Sequence, residues 1–150
     1  MINAEIRQAV PGDIDLIVTM IRELAEYEKI SHEVSLDDET LKNSLFEKKR
    51  AYALIIERLG EPIGYCIYFY NFSTFLGKAG LYIEDIYIRP QFRGNGTGGI
   101  VFEYLKNLAK SEGCGRMEWA CLDWNESAIS FYKKKGAKPL DEWLIFRMDL

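Results

Sequence analysis

The stretch that most restricts how this chain can fold is Arg93-Gly94-Asn95-Gly96-Thr97-Gly98, between a strand-like run ending near Ile88 and a helical run beginning near Gly99. A glycine-rich turn that opens a helix presents several unpaired backbone N–H groups toward one point. Glycine lets an anion approach the backbone closely, and the helix dipole adds a favourable field. Arg93 supplies a charge-assisted contact. The chemistry this implies is binding of a pyrophosphate.

Three readings of the loop compete. A P-loop needs Gly-Lys-Ser/Thr at its end, and Gly98-Gly99-Ile100 stands there instead. A dinucleotide fingerprint belongs to the first strand of a βαβ unit, whereas this loop follows several strands. A flexible glycine turn without a ligand stays open on the loop alone.

The rest of the chain predicts the setting of that loop. Glu5 to Ala9 reads as a short strand closed by Pro11-Gly12. Ile14, Ile17, Val18, Ile21, Leu24 and Ala25 recur at helical spacing, which predicts an amphipathic helix over Asp13 to Tyr27. Ser35 with Asp38 reads as a capping box opening a second helix through Leu41, Leu45 and Phe46. Ala51 to Leu59 and Ile63 to Phe72 form a hairpin pattern around Gly60-Glu61-Pro62, and Leu81 to Ile88 is a further strand. A helix through Ile100, Val101, Leu105, Leu108 and Ala109 follows the loop and stops at Gly113. Arg116 to Leu122 reads as a strand, Asn125 to Lys135 as a helix capped by Asn125 and ended by Gly136, and Glu142 to Met148 as a last strand. This order describes a mixed α/β domain around one sheet.

At 150 residues the chain suits one domain, since a second core would leave each half marginal. Its net charge of −4 lacks a basic nucleic-acid footprint. Cys66, Cys114 and Cys121 have no C-x-x-C spacing and only His32 represents histidine, which argues against a metal site or a disulfide framework. The opening Met1-Ile2-Asn3-Ala4-Glu5-Ile6-Arg7 has no apolar h-region, and no run of about 18 apolar residues occurs in the sequence. The expectation is a cytoplasmic protein with no metal, nucleic-acid or membrane partner.

Arg-x-x-Gly-x-Gly between a strand and a helix resembles the acetyl-CoA motif of the GNAT superfamily of N-acetyltransferases. Further stretches are similar to its spermidine/spermine and thialysine N-acetyltransferase branch: Ile6-Arg7, Ile21 to Glu28, Leu81 to Asp85, Trp124-Asn125-Glu126 and Phe131 to Ala137. The resemblance implies the GNAT fold, a mixed, mostly antiparallel central sheet flanked by helices. It also implies acetyl-CoA as cosubstrate, a small amine as acceptor and a homodimer. Cofactor contacts are implied for Ile86, Ile88, Arg93, Gly94, Asn95, Gly96, Thr97, Gly98, Asn125 and Lys133.

Acetyl transfer from a thioester to an amine makes three demands. The ammonium, with a pKa of roughly 10, must lose a proton; the oxyanion needs donors; the departing thiolate benefits from a proton. The resemblance implies that the oxyanion meets backbone N–H groups where the strands ending near Ile88 and Leu122 diverge. The resemblance makes Tyr132, two helical turns after Asn125, the general acid. Phe131-Tyr132 by itself would read as core packing. Glu84 and Asp85 are adjacent acids in an apolar strand, pointing to opposite faces. The resemblance favours Glu84 as base, directly or through a water, and Asp85 as substrate ligand; the sequence leaves open which faces the cleft. Tyr27 and Glu28 match the amine-recognition segment, against a solvated helix end as the alternative. Asp141 and Trp143 approximate an acid and an aromatic of the family, with Trp143 expected to touch substrate. Lys133 to Lys135 meet either the 3′-phosphate of coenzyme A or water, and His32 reads as a surface residue.

The expected activity is direct acetylation of a small diamine, polyamine or lysine-like amine. Acetylation of a protein N-terminus or an antibiotic amine is the nearest rival, and a non-catalytic acyl-CoA sensor is the rival of another kind.

Overall fold

The computed structural model describes residues 3–150, in two compact units, one ending at Ala120 and the other comprising Cys121–Leu150. The first unit opens with strand β1, Glu5–Gln8, and helix α1, Ile14–Tyr27. The apolar stripe of α1 buries Ile14, Ile17, Val18, Met20 and Ala25. Asp13 ties the start of α1 to the sheet. Its carboxylate accepts from the Val10 N–H at 2.8 Å and from Arg7 at 2.8 and 3.0 Å, while Arg7 Nε donates to Glu57 at 2.8 Å. The Arg7 guanidinium holds the Asp13 carboxyl below the usual carboxylate range.

Helix α2, Asp38–Lys42, runs on into a wider π turn over Asn43–Glu47. Its cap is Asp37, which accepts from the Thr40 N–H at 3.1 Å and the Thr40 hydroxyl at 2.7 Å. The expected capping box at Ser35 is thus displaced by an acid two residues closer to the helix, whose short side chain reaches the third helical residue.

Strands β2, Tyr52–Arg58, and β3, Glu61–Ser73, meet in a tight hairpin whose two turn residues, Leu59 and Gly60, have φ of 50° and 78°. Two consecutive left-handed residues give the twist that joins antiparallel strands, so the turn lies one residue earlier than Gly60-Glu61-Pro62 suggests. Strand β4 is Lys78–Ile88, helix α3 is Thr97–Ser111, and strand β5 is Arg116–Trp119, shorter than expected.

The five strands lie in sequence order, with β1 to β4 antiparallel and β5 parallel to β4. Period-two alternation sends residues to two cores. Ile55, Tyr65, Ile67 and Tyr87 pack with α1, while Leu54, Cys66, Tyr68 and Ile83 pack with Val101, Leu105 and Ala109 of α3. Among the described residues no helix is long and apolar enough to cross a membrane.

The second unit holds helix α4, Glu126–Lys134. Asn125 caps it as expected, accepting from the Ala128 N–H at 3.3 Å, and Gly136 follows its end at φ 89°. The expected strand over Glu142–Met148 is not formed. Trp143, Leu144, Ile145, Phe146 and Met148 are all exposed. Strand propensity alone does not make a strand; a ladder partner is required, and among the described residues this unit contains no other strand.

Candidate active site

The chemistry of the first unit centres on an irregularity in β4. Ile67 pairs with Asp85 and Tyr68 with Ile83, which makes Glu84 the extra residue inserted into the register of β4. A bulge of this kind interrupts the pleat and re-aims side chains. Asp85 is turned to the face of Tyr65 and Tyr87, and the Tyr65 hydroxyl donates to Asp85 Oδ2 at 2.8 Å. Glu84 is exposed. The parallel ladder between β4 and β5 ends at Ile83–Trp119, immediately before the bulge. Along that edge the backbone of Glu84 to Ile88 therefore lies past the end of the ladder.

Asp85 and Glu28 form a pair of like charges. Burial pushes the Asp85 carboxyl above its ordinary value, partly offset by the Tyr65 hydrogen bond. Burial also raises Glu28, at the end of α1, and the charge of Asp85 raises it further. Burial, then the Asp85 charge, pushes the Tyr65 phenol far up, so it remains a donor at neutral pH. Two desolvated carboxyls facing a neutral phenol favour the arrival of a cation.

Beside them, the Arg93 guanidinium lies 4.5 Å from the Tyr27 ring centroid and 5.5 Å from that of Tyr87, and its Nε donates to the Ile88 carbonyl at 2.6 Å. The Tyr87 hydroxyl donates to Glu23 at 3.2 Å, and Arg89 clamps the same carboxylate with bonds of 3.1 and 3.0 Å. Hydrogen bonding by Arg89 lowers the Glu23 carboxyl against the cost of its burial. The middle of α1 is thereby fixed to the end of β4, and Tyr27 and Glu28 are carried one turn further on.

The glycine loop has the shape an anion needs. Gly94 and Gly96 sit at φ 81° and 88°, in the left-handed region, and Gly96 is the cap of α3 without a side-chain hydrogen bond of its own. Asn95 Oδ1 accepts from the Thr97 N–H at 3.3 Å and its hydroxyl at 2.7 Å. With Thr97 satisfied in this way, the N–H groups of Gly98 and Gly99 are the ones at this helix start that need an outside acceptor. Backbone N–H groups at a helix start beside two left-handed glycines are the kind of donors a pyrophosphate takes. Ile86 and Ile88 are half-buried on the α3 side of the sheet.

The second unit carries the other expected residues. Asn125 is engaged as a helix cap. Tyr132 is half-buried and meets Phe131 edge-on at 5.6 Å. Lys133 is exposed, as is Trp143 at 74%.

Sequence reasoning missed Tyr65, Tyr87, Arg89 and the anchoring role of Glu23. Tyr65 and Tyr87 are direct partners across β3 and β4. That pairing becomes legible only once the register is known. Arg89 gave a weak signal, a charge ending an apolar strand just before Pro90.

Residues 17–137 match the model of the acetyltransferase (GNAT) family. The chain is 39% identical to a thialysine N-epsilon-acetyltransferase from Sus scrofa, over 99% of this chain and 94% of that protein. It is 26% identical to an L-ornithine N5-acetyltransferase from Arabidopsis thaliana, over 97% of this chain and 84% of the relative. A crystal structure of a possible acetyltransferase from Clostridium difficile 630 superposes with a TM-score of 0.79 at 20% identity, covering 99% of both chains.

Proposed function

Because this chain belongs to the acetyltransferase (GNAT) family, we propose that it transfers acetyl directly to a primary amine of a small diamine, polyamine or lysine-like molecule. The observation that carries the substrate class is the half-buried pair Glu28 and Asp85, each raised by burial. An extended dication brings a second, non-reacting ammonium, and that charge relieves the pair. The names of the thialysine and ornithine relatives support the same class, since each places acetyl on a side-chain amine.

Acetyl-CoA, when bound, supplies the thioester that the amine attacks. The backbone of the glycine loop, with Arg93, holds its pyrophosphate. Glu84 takes the proton of the reacting ammonium, directly or through a water. Tyr132 keeps a proton at its phenolic oxygen for the departing sulfur, while Asp85, Glu28 and Tyr27 hold and orient the distal charge. Trp143 adds an aromatic wall, Asn125 and Lys133 contact the cofactor, and the chemistry needs no metal. The enzyme is a single catalytic domain, cytoplasmic and homodimeric. The exposed row Trp143, Leu144, Ile145 and Phe146 is a surface that a second copy would cover.

Thiol release from acetyl-CoA across a panel of diamines, polyamines, amino acids, aminoglycosides and peptides tests this reading, with products identified by mass. Acetylation of peptides alone, or tight cofactor binding without turnover, would overturn it.

A further inference from the structure

The face of the sheet that carries α3 holds a cluster that acetyl transfer does not use. Tyr68 and Tyr70, two residues apart on β3, share a face, and Tyr52 stands directly opposite Tyr68 on β2. The Tyr52 and Tyr68 rings stack at 5.5 Å, and Tyr70 meets both edge-on at 6.0 Å. Gln8 on β1 donates to the Tyr68 hydroxyl at 3.3 Å, which fixes the inner ring. These four residues, with Leu108 and Glu112 from the end of α3, line a shallow groove of about 370 Å³.

The ring faces, the helix end and the acid that line that groove share one sign. Aromatic faces are negative. The C-terminal end of a helix carries the negative end of its dipole, and α3 ends at Ser111, beside the groove. Glu112 adds a full charge. Burial, then Tyr68 and Glu112, pushes the Tyr70 phenol up to about 12, so its ring stays neutral at physiological pH. None of the residues lining the groove is basic. A small metal ion would keep its tight hydration shell against such walls. A weakly hydrated organic cation instead buries methyl or methylene groups on the rings while its charge faces them.

We propose that this groove binds an alkylammonium cation, its charged head against Tyr52, Tyr68 and Tyr70 and beside Glu112. Tyr65 and the Asp85 that it bonds face the α1 side of the sheet, so this is a second cation site, separate from the one proposed for the amine being acetylated.

The test compares choline with 3,3-dimethylbutan-1-ol, a neutral molecule of nearly the same shape, by titration of the whole chain followed through tyrosine fluorescence and ring proton shifts. Choline is expected to bind saturably, and about tenfold or more tighter than the alcohol, the size of a desolvated cation–π interaction. Tyr70→Leu should weaken choline by about tenfold and Glu112→Gln by about threefold, with circular dichroism unchanged. Asp85→Asn should leave choline binding as it was. Equal binding of choline and the alcohol, or no saturable binding of either, overturns the proposal. Loss of choline binding in Asp85→Asn with none in Tyr70→Leu overturns it too, by placing the cation at the acetylation site. The proposal stands independently of which amine is acetylated.

Discussion

The Arg93 guanidinium rests 4.5 Å from the centroid of the Tyr27 ring. The motif expected to hold phosphate therefore touches the helix end expected to hold the amine, and a change in one is felt by the other. At a solvent-exposed site such a contact is worth about 0.5–1 kcal/mol. A double-mutant cycle on Arg93→Met and Tyr27→Leu, read by denaturant unfolding, should return a coupling of that size. Tyr27→Phe should retain it, because the ring face is what the guanidinium meets. A coupling of zero would mean that the two groups are neighbours without attraction.

Gly96 caps α3 at φ 88°, where a β-branched side chain is strained. Gly96→Val should distort the start of α3 and cost about 1–2 kcal/mol of stability, the penalty for an L-residue in the left-handed region. Acetyl-CoA affinity should fall by more than that strain alone explains, because the loop backbone is the proposed phosphate cradle. Calorimetry on the folded variant decides the matter, and unchanged affinity would take the loop out of the site.

Tyr132→Phe keeps the edge-on contact with Phe131 and deletes the hydroxyl that would carry the proton. Turnover should drop by about 100-fold or more, the usual loss for a general acid. The dissociation constant of acetyl-CoA should stay within about twofold, because a general acid acts on the departing sulfur in the transition state rather than on the bound thioester. Normal turnover would return Tyr132 to a packing role.

Asp85 and Glu28 link pH to stability with a definite sign. Both carboxyls are raised in the folded protein, from ordinary values of 3.8 and 4.5. Between those values and the raised ones the folded state binds more protons than the unfolded, so stability falls as pH rises through that window. Asp85→Asn removes the part of this penalty due to Asp85, and its amide oxygen can still accept from Tyr65. It should therefore be more stable than the parent at neutral pH, with the difference closing below pH 3.8. The same variant should lose about ten- to a hundredfold in affinity for a diamine, the worth of a charged hydrogen bond, and much less for a monoamine of equal length. Thermal melts at several pH values and paired amine kinetics provide the check. A variant less stable at neutral pH, or equally impaired on both amines, would assign Asp85 to the fold or the reacting centre.

Local signals carried much of this protein. The stripe from Ile14 to Ala25, the cap at Asn125 and the stop at Gly136 are all fixed by neighbours a few residues away, and each stands where the sequence places it. The remainder depended on partners far along the chain. Asp85 faces Tyr65 because β3 and β4 slip by one residue at Ile67 and Tyr68, a property of two strands together. Glu142 to Met148 has the composition of a strand but no ladder partner among the described residues of its own unit. Asp37 outcompeted Ser35 as a cap by nearness alone.

The extra residue in β4 has an odd arithmetic. Ile83 faces α3, Asp85 faces α1 and Ile86 faces α3 again, which is the ordinary alternation of a strand from which Glu84 has been left out. Glu84 is thus an interpolated letter that changes no other letter's meaning. A chain lacking it would keep every neighbour on its present side, and β4 would zip against β3 without interruption. Such a protein would be the better sheet, and the proposed proton acceptor would be missing from it. What the extra position adds to β4 is one exposed carboxylate.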